Sequence, residues 1–275
     1  FILTISPEQV FVNPGDVGEI LLELELPASS REHLDPLYNE MRTIVIEGMQ
    51  EDGTVQFQFR LSAGNILPAK QHPHLFFTAE DIEAILQKLD SFPEAKAQYD
   101  ALIRNANNWL LRSIDIPDRG GQWGHWYSCP THGVRLQTLS PTQHRCPVCG
   151  TVYTGEPYDS VLLTSQHNSL ASAARDLGLA YSFTGNIDYA LKVKEILLGY
   201  AEKYLQYELH DVNGKQTRTA ARATAQTLDE AVWLIPIAWG YDLIYNVLTQ
   251  DEREEIENKL LRPAVEVIQR NDAGI

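Results

Sequence analysis

Three cysteines and one histidine stand in two close pairs, Cys129-Pro-Thr-His132 and Cys146-Pro-Val-Cys149, and they include every cysteine of the chain. The spacings are C-x-x-H and C-x-x-C, so each pair can wrap a single ion from one tight turn. Four soft or borderline donors suit a tetrahedral Zn²⁺. Pro130 and Pro147 each follow a cysteine, and Gly133 and Gly150 close both turns. The two arms therefore read as the halves of a zinc ribbon within residues 123–159. Four protein ligands and no evident open position make this a structural zinc rather than a catalytic one. The alternative is a disulfide beside a free thiol. The odd cysteine count and the fourth donor at the right spacing favour metal. His125 and His144 are the substitutes if His132 is not a ligand.

The elements that carry this stretch change character along the chain. Residues 1–67 are expected to form a small β-sandwich-like domain. Ile2–Ile5, Gln9–Val12, Glu19–Leu26, Thr43–Glu47 and Thr54–Leu61 are short apolar-rich runs, and Thr54-Val-Gln-Phe-Gln-Phe-Arg-Leu61 alternates as a half-buried strand does. Asn13-Pro-Gly-Asp16 and Glu51-Asp-Gly53 mark turns. Residues 68–77, with Pro68 and Pro73, form a linker. From residue 78 the period becomes helical. Thr78-Ala-Glu-Asp81 caps a first helix, Pro93 opens a second, and the zinc ribbon follows as an insertion. A third helix is expected over about Ser165–Phe183, capped by Ser165 or Asn168 and rich in small residues, hence closely packed. A fourth runs from Ile187 to about Tyr207 and a fifth from about Ala225 to Val247, kinked at Pro236. Thr249-Gln-Asp-Glu252 is a capping box for a sixth. Paired antiparallel helices without strands imply an α/α toroid or a helical-repeat array. Residues 177–190 match one tetratricopeptide unit, with no second copy at that period.

The formal net charge is −15, from 22 Lys and Arg against 37 Asp and Glu. That balance argues against nucleic acid and against an anionic membrane surface as partners, and no stretch has the length and apolarity of a membrane span. A polyanionic substrate would need a local basic pocket. The first residue is Phe1 and the last run is helical, so the chain is expected to be a piece of a longer protein.

Several stretches taken together resemble the heparinase II/III-like and alginate-lyase-like polysaccharide lyases. They are His72-Pro-His-Leu-Phe-Phe77, the paired Cys-Pro arms from Trp126 to Gly150, and Tyr153-Thr-Gly-Glu-Pro-Tyr-Asp159. Ala173-Ala-Arg-Asp-Leu-Gly-Leu-Ala-Tyr181 and Gln226-Thr-Leu-Asp-Glu-Ala-Val-Trp-Leu-Ile235 complete the set. The likeness covers roughly residues 72–270. It implies a β domain, then part of an (α/α) toroid, and a reaction of β-elimination on a uronic-acid-containing polysaccharide. A base takes the C5 proton, a neutraliser holds the carboxylate, and an acid protonates the leaving oxygen. It implies an acidic polysaccharide as partner and a periplasmic or secreted setting. The catalytic base and acid of that family come from later elements, and no catalytic residue is carried over here.

Within the chain, Arg218, Arg222, Gln226 and Glu230 lie on the approach to and first turns of the fifth helix. Steps of four from Arg222 would align the last three on one face near Trp233. Cation, amide, carboxylate and ring would suit a sugar-acid groove, with an arginine forking onto the uronate. A solvated helix face is the competing view. Trp126 and Tyr158 are candidates for stacking on sugar rings, or else cover the zinc. His210 reads as a surface or capping group, His167 as a possible groove residue, and Arg175 with Asp176 as a structural ion pair. The alternative function is a non-catalytic helical scaffold with a zinc clip, binding protein or glycan.

Overall fold

The computed structural model describes residues 2–6, 21–25, 41–50, 53–62 and 71–270. The chain divides into two units, Phe1–Lys70 and Gln71–Ile275. In the first, β1 (Ile2–Ser6) pairs antiparallel with β2 (Leu21–Glu25), and β3 (Met41–Gln50) with β4 (Gly53–Ser62). These are two separate two-stranded sheets, not a described sandwich. The strand expected at residues 9–12 and the turn at 13–16 lie outside the described residues.

The second unit is mainly helical. Thr78 caps α1 (Ala79–Lys88) with a reciprocal capping box: its hydroxyl accepts from the Asp81 backbone, and the Asp81 carboxylate accepts from the Thr78 N–H. Pro93 opens α2 (Pro93–Leu110), where its missing N–H costs nothing. α3 (Tyr158–Thr184) and α4 (Ile187–Lys203) form a tight hairpin. Gly185 turns the corner at φ 69°, a left-handed conformation that glycine enters freely, and the Asn186 side chain caps α4. α5 (Thr227–Ile244) lies against both. The Thr249 capping box starts α6 (Gln250–Ile256). A π-turn at Glu257–Leu261 leads into α7 (Arg262–Gln269). Pro263 has no N–H to offer the carbonyl one turn back, and the widened turn absorbs that mismatch.

The core is the seam of α3, α4 and α5. Leu177, Val193, Ile196, Leu197, Tyr200, Trp233 and Ile237 are all fully buried in it. Small residues set how closely α3 and α5 approach. A Cβ on Gly240 would stand 3.0 Å from the backbone and Cβ of Ala174, and one on Gly178 would stand 3.0 Å from Leu243. The expected close packing of the third helix is thus present. That helix begins seven residues earlier than expected, at Tyr158 directly after Pro157. Ser165 and Asn168 therefore sit inside it and cap nothing.

Residues 71–77, expected to be a linker, dock onto α5. The Asp242 carboxylate accepts from the backbone N–H groups of His74 and Leu75, both at 2.8 Å, and lies 2.6 Å from His72 Nδ1.

Candidate metal centre and the adjoining loop cluster

Between α2 and α3 the chain builds a three-stranded antiparallel sheet from β5 (Gln137–Ser140), β6 (Gln143–Arg145) and β7 (Val152–Tyr153). One turn precedes the sheet and a matching one joins β6 to β7. Gly133 N–H donates to the Cys129 carbonyl at 2.7 Å and Gly150 N–H to the Cys146 carbonyl at 3.0 Å. Both glycines have positive φ, 64° and 72°, which explains their place after each ligand pair. The turns bring Cys129, His132, Cys146 and Cys149 together, with all four donor atoms within 4.8 Å of one another.

These donors fit zinc. Bond lengths of about 2.3 Å to sulfur and 2.0–2.1 Å to nitrogen place tetrahedral sulfur and nitrogen ligands roughly 3.5 Å apart. His132 Nδ1 is 3.4 Å from Cys129 Sγ and 3.9 Å from Cys146 Sγ. Metal binding needs thiolates, and two thiols are drawn that way. Tyr153 donates its hydroxyl to Cys129 Sγ at 3.3 Å and, with His132, holds that thiol down to about 5. Thr151 beside Cys149 lowers the second, while burial raises Cys146.

His144 is not a ligand in this arrangement. It is fully buried on β6, 2.8 Å from Tyr127 Oη through Nδ1 and 2.7 Å from Asp159 Oδ1 through Nε2. It fastens the sheet to the first turn of α3. His125 is exposed, its ring tilted at 41° to that of Trp123 with centroids 4.5 Å apart. Tyr158, the first residue of α3, packs with Tyr153 in the small core under the knuckle, so it covers the donors.

The knuckle joins a second feature at the end of the bundle where α3 and α5 both start. Residues 119–123 thread between α3 and the loop that precedes α5. Gly121 N–H donates to Ala223 O at 3.0 Å, and Gln122 N–H to Ser160 O at 2.9 Å. Thr164 donates its hydroxyl to Gln122 O at 2.8 Å. The passage admits only glycine at two places. A Cβ on Gly120 would meet Arg222 O at 2.0 Å, and one on Gly121 would meet the Thr164 backbone at 2.2 Å. His167 Nε2 donates to Arg119 O at 3.1 Å, which leaves Nδ1 to accept from Tyr200 Oη at 2.9 Å. Its burial pushes the imidazole down to about 4. The histidine is therefore a neutral core strut and not a groove residue. His210 spans the same passage: Nε2 donates to Gly121 O at 2.8 Å.

The four residues expected to line a groove separate into two kinds. Gln226 is the residue before α5, so Arg222, Gln226 and Glu230 do not share a helical face. Glu230 is fully buried. Its carboxylate accepts from Tyr204 Oη at 2.7 Å, Thr224 N at 2.9 Å, Thr224 Oγ1 at 2.9 Å and Ala223 N at 3.2 Å. Burial raises its pKa against those bonds. It is a latch on the loop, out of reach of any polymer. Arg222 donates to the carbonyls of Leu205 and Tyr207 and braces the same loop. Arg218 is exposed, and Gln226 is half-buried with its amide 3.1 Å from Asp229. Trp126 is 39% exposed, and its indole N–H donates to Val212 O at 2.7 Å, tying the knuckle to the loop. Arg218 and Trp126 are thus the expected groove residues that are exposed at this end. Gln226 is half-buried, as are Arg222 and Tyr158, which are engaged in bracing the loop and packing the knuckle. Arg175 and Asp176 form the expected ion pair at 2.7 Å.

No protein-family model matches the chain. It is 25% identical over 195 residues to an exo-oligoalginate lyase of Saccharophagus degradans, a match that covers 70% of this chain and 21% of that protein. It is 32% identical over 103 residues to an alginate lyase of Stenotrophomonas maltophilia, covering 38% of this chain and 14% of that protein. The chain therefore spans a small part of the length of these relatives. The two similarities support a relationship to the polysaccharide lyases.

Proposed function

We propose that the chain is part of a polysaccharide lyase acting by β-elimination on a uronic-acid-containing polymer, with its helical hairpins forming part of an α/α toroid. The similarity to two alginate lyases is the observation that carries this reading. The loop cluster at the starts of α3 and α5 is the part of the chain that would meet the sugar. Removing the C5 proton needs the uronate charge neutralised, because the carbanion is otherwise too unstable to form. Arg218 offers a guanidinium for that carboxylate, Gln226 an amide, and Trp126 a ring on which a sugar can stack. Glu230, Arg222, His167 and His210 hold the loop and the Gly120–Gly121 strand in register beneath them. We assign a structural Zn²⁺ to Cys129, His132, Cys146 and Cys149, which would fix the insertion that presents Trp126. A periplasmic or secreted location suits a polymeric substrate, and no helix among the described residues is long and apolar enough to cross a membrane.

The test is to incubate the full-length enzyme containing this chain with alginate, heparan sulfate and other polyuronates, following the ultraviolet absorbance of the unsaturated product. Product from at least one polyuronate is expected. A folded, zinc-loaded protein that yields none would sink the proposal.

A further inference from the structure

Far along α3 and α5 from the knuckle, a second group of donors converges. His72 Nδ1 is 2.6 Å and His74 Nδ1 3.6 Å from Asp242 Oδ1, and all three atoms lie within 4.8 Å of one another. We propose that His72, His74 and Asp242 form a second divalent-cation site of the two-imidazole, one-carboxylate class.

Anchoring residues 71–77 to α5 accounts for Asp242 and His72 but not for the ring of His74. Its Nδ1 is one of two buried side-chain polar atoms without a hydrogen-bond partner among the described residues. A buried nitrogen in that condition is costly unless something fills its lone pair. It faces a buried carboxylate and a second imidazole.

The other atoms of the cluster are held as ligands usually are. The far carboxylate oxygen of Asp242 accepts from the His74 and Leu75 backbones, so the near one keeps its direction. The His72 ring is stacked on Tyr245 at 3.6 Å and 14°. Nitrogen and oxygen ligands on one first-row ion lie about 3 Å apart, between the two separations seen, so sub-ångström shifts of the rings suffice. Coordination through His72 Nδ1 requires its proton on Nε2, a tautomer change that water can carry. Both rings are partly exposed, which leaves room for water to complete the shell. Imidazole and carboxylate donors without sulfur suit Zn²⁺, Co²⁺ or Ni²⁺.

The site is tested by titrating Co²⁺ into the 275-residue chain carrying a single zinc, at the cysteine site, and following visible absorption. One further equivalent is expected, with weak d–d bands and without the intense charge-transfer band of cobalt thiolates. His74→Ala should lose that equivalent yet melt at the parent temperature without added metal, because Nδ1 of the ring has no hydrogen-bond partner among the described residues. If His74→Ala does not fold, His74→Gln serves in its place. Equal Co²⁺ binding by parent and variant, or no binding beyond the cysteine-coordinated ion, would overturn the site. Neither outcome touches the lyase reading, which rests on the similarity to two alginate lyases and not on metal at His72 or His74.

Discussion

His167 gives a pH dependence that can be worked through from its surroundings. The fold presents a carbonyl to Nε2 and a hydroxyl to Nδ1 and encloses both, so the neutral ring is the folded form. Burial holds its pKa at about 4 against an ordinary 6.5. Because the folded value is depressed, the unfolded chain takes up the proton first as pH falls. Stability is therefore full above the unfolded value, falls as pH drops through 6.5, and stops falling on this account near 4. At 1.36 kcal/mol per unit, the gap is worth about 3 kcal/mol. His167→Gln isolates that share, since its amide can donate to Arg119 O, accept from Tyr200 Oη and does not titrate. Urea unfolding from pH 7 to pH 4 should show the parent losing about 3 kcal/mol more than the variant over that range. Carboxylates elsewhere titrate equally in both proteins and cancel in the comparison. Parallel stability curves would refute the argument that this histidine is held neutral.

Elemental analysis should find one zinc per chain in protein not exposed to added metal, lost in Cys146→Ser together with a lower melting temperature; metal-free parent protein of unchanged stability would remove the zinc assignment. Glu230→Ala leaves the Ala223 and Thr224 amides and Tyr204 Oη buried without that acceptor, while Thr224 Oγ1 keeps the Gln226 carbonyl; at about 1–3 kcal/mol for each group that finds no water, a loss of at least about 3 kcal/mol is expected by chemical denaturation. Glu230→Gln, which keeps an acceptor oxygen, should lose less, and equal losses would mean that the bonds are not what matters. Gly240→Val forces a side chain into Ala174 and should cost about 1–3 kcal/mol by the same assay, whereas Val232→Ala on the exposed side of α5 should cost little. In the full-length enzyme, Trp126→Ala should raise KM for polyuronate with kcat nearly kept; a fall in kcat alone would place Trp126 outside the sugar path.

What the sequence discloses here depends on how far apart the partners are. The capping boxes at Thr78 and Thr249, Pro93 at the start of α2, and the Gly185 turn each rest on residues within one helical turn, and spacing alone reveals them. The four-donor knuckle is legible for the same reason, since each half closes its own turn. Misreading begins where a local pattern has two physical outcomes. The step of four through Arg222, Gln226 and Glu230 marks one face only if the helix already runs at Arg222. Glu230 instead draws the Ala223 and Thr224 amides onto itself, so the loop closes back over the helix start. Pro157 signalled the earlier start of α3, but it sits inside a motif that reads equally well as knuckle. Contacts across the chain leave no such trace. Asp242 meets the His74 amide 168 residues away, and the Gly120–Gly121 pair has meaning only once Arg222 and Thr164 close on it from either side. The same glycines show why the loop cluster is a unit. Any side chain there would part α3 from the loop before α5, and with it the Trp126 indole from the Val212 carbonyl, so the groove reading requires this passage to remain closed.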